Sequence, residues 1–295
     1  MSGIEVVDEG GEKVQLVDVD GYRVCNFERD PNEVAELVRG LKDRRCRPDD
    51  VFLLTPPKSG THWVWEITCM LIQGRADTIP KSKSKNMLEH QTAEFLEKVE
   101  SPRVLNSHLN IKHLPKQIFE DKLKTILVLR NPKDLVVSFY HHTKGIKCYG
   151  YNGKWEHFFK LFLNNELDYG SWFKYVKEWE TYILEHSDHH IHVIFYEELH
   201  KNNVEEIKRL AKFLGLDPSE ELVQAISEKC QFHNMYKDKM HPDSVRREIY
   251  NGDYTLYRKG KVGDWKNWFT VAQNEEFDKH YLKFAASCGM RFQFT

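Results

Sequence analysis

The sequence predicts an α/β fold in which a central parallel β-sheet is flanked by helices. Three observations carry this prediction. Short apolar runs at 51–54, 124–129 and 191–196 lack the polar alternation of a half-exposed strand, as expected of strands covered on both faces. Amphipathic helical stretches separate such runs. The first run passes through Pro56, Pro57, Lys58, Ser59, Gly60 and Thr61 into a segment with Trp63, Trp65, Ile67, Met70 and Leu71 at helical positions.

Strand, turn and helix start in that order predict an anion-binding loop. Pro56 and Pro57 cannot extend a central strand. Lys58 offers an ammonium, Ser59 and Thr61 offer hydroxyls, and Gly60 leaves the backbone open. With Thr61 or Ser59 as cap, the unpaired N–H groups of the helix would face a phosphate or sulfate. The usual nucleotide loop reads G-x-x-x-x-G-K, whereas here Lys58 precedes Gly60, and these few residues taken alone favour a surface turn.

The other elements follow in chain order. Val14 to Val24 alternates around Asp20-Gly21, a hairpin signal, and Asp30-Pro31-Asn32 opens a helix carrying Val34, Leu37, Val38 and Leu41. Residues 75–92, where Lys81, Lys83 and Lys85 alternate with serines, read as a solvated, flexible segment. Val104 to Leu109 reads as a strand that ends in Asn106, Ser107 and His108, and Arg130 follows the next strand. Because ligands gather beyond the carboxyl ends of parallel strands, Lys58, His108 and Arg130 are expected to converge.

Asn131-Pro132-Lys133-Asp134 is a helix entry with Pro132 at a favourable first position. The aromatic density from Phe139 to Phe159 reads as core packing, with the wall of an apolar pocket as the alternative. Tyr169-Gly170-Ser171-Trp172 precedes a helix bearing Tyr175, Val176, Trp179 and Ile183. Helices over 205–214 and 220–226 are parted by Gly215 and Asp217-Pro218, and polar residues 237–257 suit a mobile loop or lid. Arg258, Lys259 and Gly260 form a basic turn, either a second anion site or a solvated one.

At 295 residues and 40% hydrophobic content the chain can bury a large core, and no linker divides it, so residues 1–295 are expected to form one domain. A net charge of −2 argues against a polycationic nucleic-acid binder. The six cysteines are dispersed without a C-x-x-C pair, as in reduced intracellular proteins. The amino terminus is acidic without an apolar leader core, and no run is long enough to span a bilayer, so a soluble cytoplasmic protein with no membrane partner is expected. Asp188, His189, His190 and His192 lack a matching ligand cluster, and no metal site is expected.

From about Arg47 to Phe294 the chain resembles the cytosolic sulfotransferase family. The matching stretches are Pro57-Lys58-Ser59-Gly60-Thr61 with Trp63, Ser107-His108, Leu129 to Asp134 with Ser138, Tyr169 to Trp172, Phe195-Tyr196-Glu197, and Arg258-Lys259-Gly260 followed by Gly263 to Asn267. The resemblance implies a P-loop-like phosphosulfate-binding loop. It also implies transfer of a sulfonate group from 3′-phosphoadenosine 5′-phosphosulfate (PAPS, leaving PAP) to a small acceptor, a phenol, steroid, alcohol or amine. Carried over, Lys58, Ser59, Gly60, Thr61 and the loop position His62 hold the phosphosulfate, while Trp63 and Phe232 sandwich adenine, with Tyr196 and Cys230 nearby. Arg130, Ser138, Arg258, Lys259 and Gly260 hold the 3′-phosphate. His108 is the implied general base and Lys58 the group at the leaving oxygen, with no metal. Lys266, Thr270, Val271 and Glu275 match the family's K-x-x-x-T-V-x-x-x-E dimer pattern, which implies a homodimer.

The sequence departs from the family pattern at Pro56 (usually Tyr), His62 (usually Thr), Asn106 (commonly Lys) and Cys230 (commonly Thr or Ser). These changes remove a local positive charge and alter hydrogen bonds. They keep open a protein that binds PAPS or PAP with little transfer activity. An ATP phosphotransferase fits the generic strand-loop-helix reading but lacks the Gly-Lys order and a carboxylate pattern for Mg²⁺.

Overall fold

The computed structural model describes residues 2–80, 82–239 and 247–295. Its contacts define two compact units, one from the described residues of 1–39, 131–186 and 241–295, the other from those of 40–130 and 187–240. The first opens with an antiparallel sheet of β1 (Gly3–Val7), β2 (Lys13–Val19) and β3 (Tyr22–Val24). β2 and β3 are the predicted hairpin. Their turn places Asp20 and Gly21 at φ of 55° and 83°, the left-handed pair that a tight two-residue turn requires. The sequence reading misses β1, an edge strand in which only Val6 is buried and whose pattern therefore carries little hydrophobic signal.

Helices Pro31–Gly40 (up to Arg39), Pro132–Gly145, Trp155–Leu163, Trp172–Glu185 and Val271–Ala285 also belong to this unit. Asn131 caps the second of them, accepting from the Asp134 N–H at 2.9 Å, with Pro132 just inside. The aromatics from Phe139 onward form core: Phe139 and Phe158 meet edge-to-face with centroids 5.8 Å apart, and Tyr140 meets Trp155 at 5.7 Å. Within the stretch expected to be a lid, residues 240–246 lie outside the described residues. Beyond them, Tyr250 bridges to Ile146 and the Tyr254 hydroxyl lies 3.1 Å from His142 Nδ1.

The second unit holds β4 (Val51–Leu54), β5 (Val104–Ser107), β6 (Lys124–Leu129) and β7 (Ile191–Phe195), all parallel in the order β5-β4-β6-β7. Every residue of β4 is buried, as its uninterrupted apolar run predicts. Helices Thr61–Gln73, Asn203–Leu214 and Glu220–Lys229 accompany this sheet, and Gly215 ends the 203–214 helix at φ 78°.

One expectation fails here. The lysine- and serine-rich stretch is not solvated throughout: Lys83, Asn86, Met87, Leu88, Glu89 and Gln91 are buried, and Met87 bridges to Asn106 of β5. Lys81 lies outside the described residues. Because β5 is an edge strand, its outer backbone groups need partners, and polar side chains supply them. Asn86 Nδ2 donates to the Val104 carbonyl at 3.0 Å; in the opposite direction, the Asn106 side chain on β5 donates through Nδ2 to the Lys83 carbonyl at 2.9 Å.

A buried ion pair stands where β4 and β5 begin. Arg103 grips Asp50 through Nε–Oδ1 at 2.7 Å and Nη2–Oδ2 at 2.5 Å, with Asp50 0% and Arg103 4% exposed. Asp50 Oδ2 also accepts the Arg47 N–H at 2.7 Å. Removing the carboxylate would strand a buried guanidinium. Asp50→Ala is therefore expected to destabilise the fold by about 3–5 kcal/mol, measured as a lower denaturant midpoint; a midpoint equal to the parent's would show that the pair adds nothing.

Candidate active site

The loop after β4 takes a shape the sequence only partly foretells. Gly60, at φ 102°, is the residue before the Thr61–Gln73 helix, and no side chain caps it. Thr61 turns inward instead, with its Oγ1 2.8 Å from Thr55 Oγ1, while Ser59 Oγ is buried without a protein hydrogen-bond partner. The expected Ser or Thr cap is therefore absent. A Cβ at Gly60 would lie 2.8 Å from Tyr196 Cδ2, so glycine is required both for φ and for this close approach. Lys58 also adopts a left-handed φ of 68°, which costs a side-chain-bearing residue roughly 1–2 kcal/mol.

His108 lies one residue past β5, level with Thr55 one residue past β4. Its Nδ1 is 2.9 Å from the Thr55 carbonyl and 3.0 Å from Thr55 Oγ1. A carbonyl can only accept, so Nδ1 carries the proton and Nε2 is the basic nitrogen. The His108 N–H donates to Glu89 Oε1 at 2.8 Å. Burial, then the charge of Lys83, bring the His108 imidazole down to about 3; the Thr55 hydrogen bond opposes this and Lys58 adds to it. His62, half-buried, is held well below the usual imidazole range by burial and by the charges of Lys83, Lys58 and His108.

Arg130, beyond β6, donates to the Lys58 carbonyl at 3.2 Å and lies over the Tyr196 ring at 4.3 Å. Trp63 meets Tyr196 edge-on at 5.6 Å. Lys58, His108 and Arg130 thus do gather beyond the strand ends, as the parallel topology predicts. Phe232, an exposed residue, begins the Phe232–Asp238 helix. Cys230 is different: its thiol is buried against Met70 Sδ at 3.8 Å, and burial pushes its pKa to about 12. That placement gives no support to Cys230 as a nucleotide contact. Nor do His189 and His192 gather as ligands, for His189 Nε2 pairs with the Leu123 carbonyl and His192 stacks on Phe213.

In the other unit, Ser138 is half-buried on the Pro132–Gly145 helix. Arg258 and Lys259 both donate to Asp264, at 2.6 and 2.7 Å, and Asn267 Nδ2 adds a third bond at 3.0 Å. Gly260 follows in the left-handed region at φ 61°. Burial works to raise the Asp264 carboxyl, but the bonds from Lys259, Asn267 and Arg258 outweigh it and hold its pKa low. Asp134 fixes the same turn by accepting the Gly263 and Trp265 N–H groups at 2.7 and 2.9 Å.

A family model described as Sulfotransferase domain matches residues 48–289. Sulfotransferase 1A1 of Mus musculus is 37% identical over 273 residues, covering 88% of this chain and 92% of its own. The chain belongs to the sulfotransferase family. Sulfotransferase 1E1 of Cavia porcellus is 36% identical over 252 residues, or 80% of this chain and 83% of its own. The crystal structure of mouse sulfotransferase SULT7A1 complexed with PAP has a TM-score of 0.73 at 30% identity, over 91% of this chain and 94% of that one. A structure of retinol dehydratase with androsterone and inactive cofactor PAP shares the fold, with a TM-score of 0.78 at 19% identity over 96% and 92% of the two chains.

The sequence reading of this sulfotransferase overlooks Thr55 and Glu89, which hold His108, and names Asp134 and Asp264 only within matching stretches, without a role in the site. Asp264, a carboxylate shortly after two cations, had a local signal. Because folding depresses its pKa, the clamp stabilises fully above the unfolded carboxyl value of about 4 and loses that contribution as pH falls below it. Asp264→Asn is accordingly expected to melt lower than the parent at neutral pH, with the gap closing on acidification. A gap that stays constant with pH would separate the clamp from this ionisation.

Proposed function

We propose that this sulfotransferase transfers a sulfonate group from PAPS to a hydroxyl or amine of a small aromatic or amphiphilic acceptor, with His108 as general base. The observation that carries this reading is the Nδ1–Thr55 hydrogen bond, which fixes the tautomer and leaves Nε2 to take the acceptor's proton. The loop suits a phosphosulfate. Ser59 Oγ is buried and without a protein partner, Gly60 brings the backbone close to Tyr196, and the first turn of a thirteen-residue helix presents N–H groups.

When bound, the donor supplies an activated sulfonate on a phosphate leaving group. Lys58 offsets negative charge at the leaving oxygen by a charge-assisted hydrogen bond. Ser59, Gly60, Thr61 and His62 line the loop, Trp63 and Phe232 take the adenine between them, and Tyr196 lies against the adenosine. Arg130, Ser138, Arg258, Lys259 and Gly260 bind the 3′-phosphate. Arg258 and Lys259 do so from their anchored positions on Asp264.

The family match runs from residue 48 to 289, through parts of both units, which supports reading residues 1–295 as one sulfotransferase domain. Free cysteines favour a cytoplasmic setting, and no helix among the described residues is long and apolar enough to cross a membrane. Homodimerisation through Lys266, Thr270, Val271 and Glu275 is supported by their exposure, with Val271 76% exposed at the start of a helix that Thr270 caps.

His108→Ala is expected to lower turnover roughly 100- to 10,000-fold while sparing PAP binding. Lys58→Ala should weaken both. Calorimetry with PAP beside transfer assays on phenols, steroid alcohols, aliphatic alcohols and arylamines makes the comparison, and equal turnover for His108→Ala and the parent would remove the base assignment. Tight donor binding without transfer to any acceptor would favour a binding role. For the interface, Val271→Glu should sediment as a monomer with full activity; a parent that is monomeric at high concentration removes the dimer.

A further inference from the structure

We infer that Lys83 is a second cation of the transfer site, carried to the end of β5 by the 82–86 turn and oriented by Asn106 so that its charge acts on His108 and on the anion bound beside it. This rests on the reading of His108 as the base. The Lys83 side chain is 6% exposed, and its Nζ donates to Asn106 Oδ1 at 2.9 Å. Asn106 Nδ2 at the same time donates to the Lys83 carbonyl at 2.9 Å. One amide therefore holds both ends of the lysine, and it stands two residues before His108.

A structural pin does not require this charge. The segment is already tied to β5 by neutral groups, through the Met87–Asn106 bridge, the bond from Asn86 to Val104 and the Asn106 bond to the Lys83 backbone. A buried ammonium is costly unless an anion compensates it. Among the described residues Lys83 enters no ion pair; Glu89, which accepts the His108 N–H through Oε1 and leaves Oε2 without a hydrogen-bond partner, acts on it electrostatically without touching it. Burial brings Lys83 down to about 8, with Glu89 opposing, so the ammonium still predominates at neutral pH and a bound anion would hold it charged.

The direction of this charge is equally informative. Lys83 acts on the His108 ring more strongly than Lys58 does, and the same order holds at His62. The charged and titratable groups around the two imidazoles include Lys83, Lys58, Glu89 and, for His62, His108 and Lys239. Burial first, and the Lys83 charge after it, disfavour the imidazolium at His108. An arriving anion offsets the ammonium and strengthens His108 as a proton acceptor. Asn106, where the family resemblance implies a lysine, is the residue that accepts an ammonium from elsewhere in the chain.

The test compares the parent with Lys83→Met and with the double variant Lys83→Met/Asn106→Lys, which moves the ammonium to the strand. Three readouts are taken: the His108 titration by NMR without ligand, PAP affinity by calorimetry, and the pH profile of kcat. Loss of a positive neighbour favours the imidazolium, so in Lys83→Met the His108 titration and the acid limb of kcat should both move to higher pH. PAP affinity should fall about 10-fold and kcat roughly 100-fold, with at least a 10-fold recovery of kcat in the double variant. An unmoved His108 titration together with unchanged PAP affinity in a folded Lys83→Met protein would overturn the inference. If only the double variant folds, its activity decides: an active protein supports a mobile charge, and an inactive one refutes it. Failure of both to fold makes Lys83 structural and also refutes it. His108→Ala is run alongside; turnover equal to the parent's there would reject the base reading itself, whatever PAP affinity shows for Lys83.

Discussion

The ion pair of Asp50 and Arg103 sets where two strands start. Each residue immediately precedes its strand, and the Val51 N–H donates to the Arg103 carbonyl at 2.9 Å, so β4 and β5 begin level. They therefore end level, with Leu54 opposite Ser107, and the next residues, Thr55 and His108, meet. Side chains alternate faces along a strand, so a slip of one residue would turn His108 away from the anion loop. A buried salt bridge is an uncertain source of stability, but as a specifier of register this one governs the chemistry several residues away.

Around His108 the described side chains carry more positive charge than negative. Lys58, Lys83 and Arg130 are supplied by separate segments, whereas Glu89 accepts a backbone N–H. Such an arrangement opposes folding, since like charges are brought out of water together. It is suited to a doubly anionic ligand, and the left-handed backbone at Lys58 adds local strain of the kind that functional loops hold.

Much of this was legible in the sequence. Continuous apolar runs marked β4, β6 and β7, because a strand covered on both faces leaves no polar alternation, and residues past β4, β5 and β6 supplied Lys58, His108 and Arg130. What escaped was long-range or conformational. A capping hydroxyl at Thr61 or Ser59 is a reasonable local expectation, yet the left-handed Gly60 takes that place and Thr61 pairs with Thr55 instead. Lys83 read as solvated because composition reports average polarity and is blind to a sheet edge whose unsatisfied groups accept polar partners. Cys230 stands where the family pattern commonly has Thr or Ser, and its thiol is buried against Met70 at the end of the Glu220–Lys229 helix.

The two-handed hold of Asn106 on Lys83 has a consequence for how variation in this fold is read. Compared column by column, position 106 would score as a charge lost, whereas in space the charge has moved 23 residues along the chain. The two positions are then mutually exclusive: a lysine at 106 would press a second ammonium against the first, and an asparagine at 106 without Lys83 would leave the amide's oxygen unclaimed. Natural relatives of this chain should carry one arrangement or the other, and a substitution at either site should be tolerated only in the company of its counterpart.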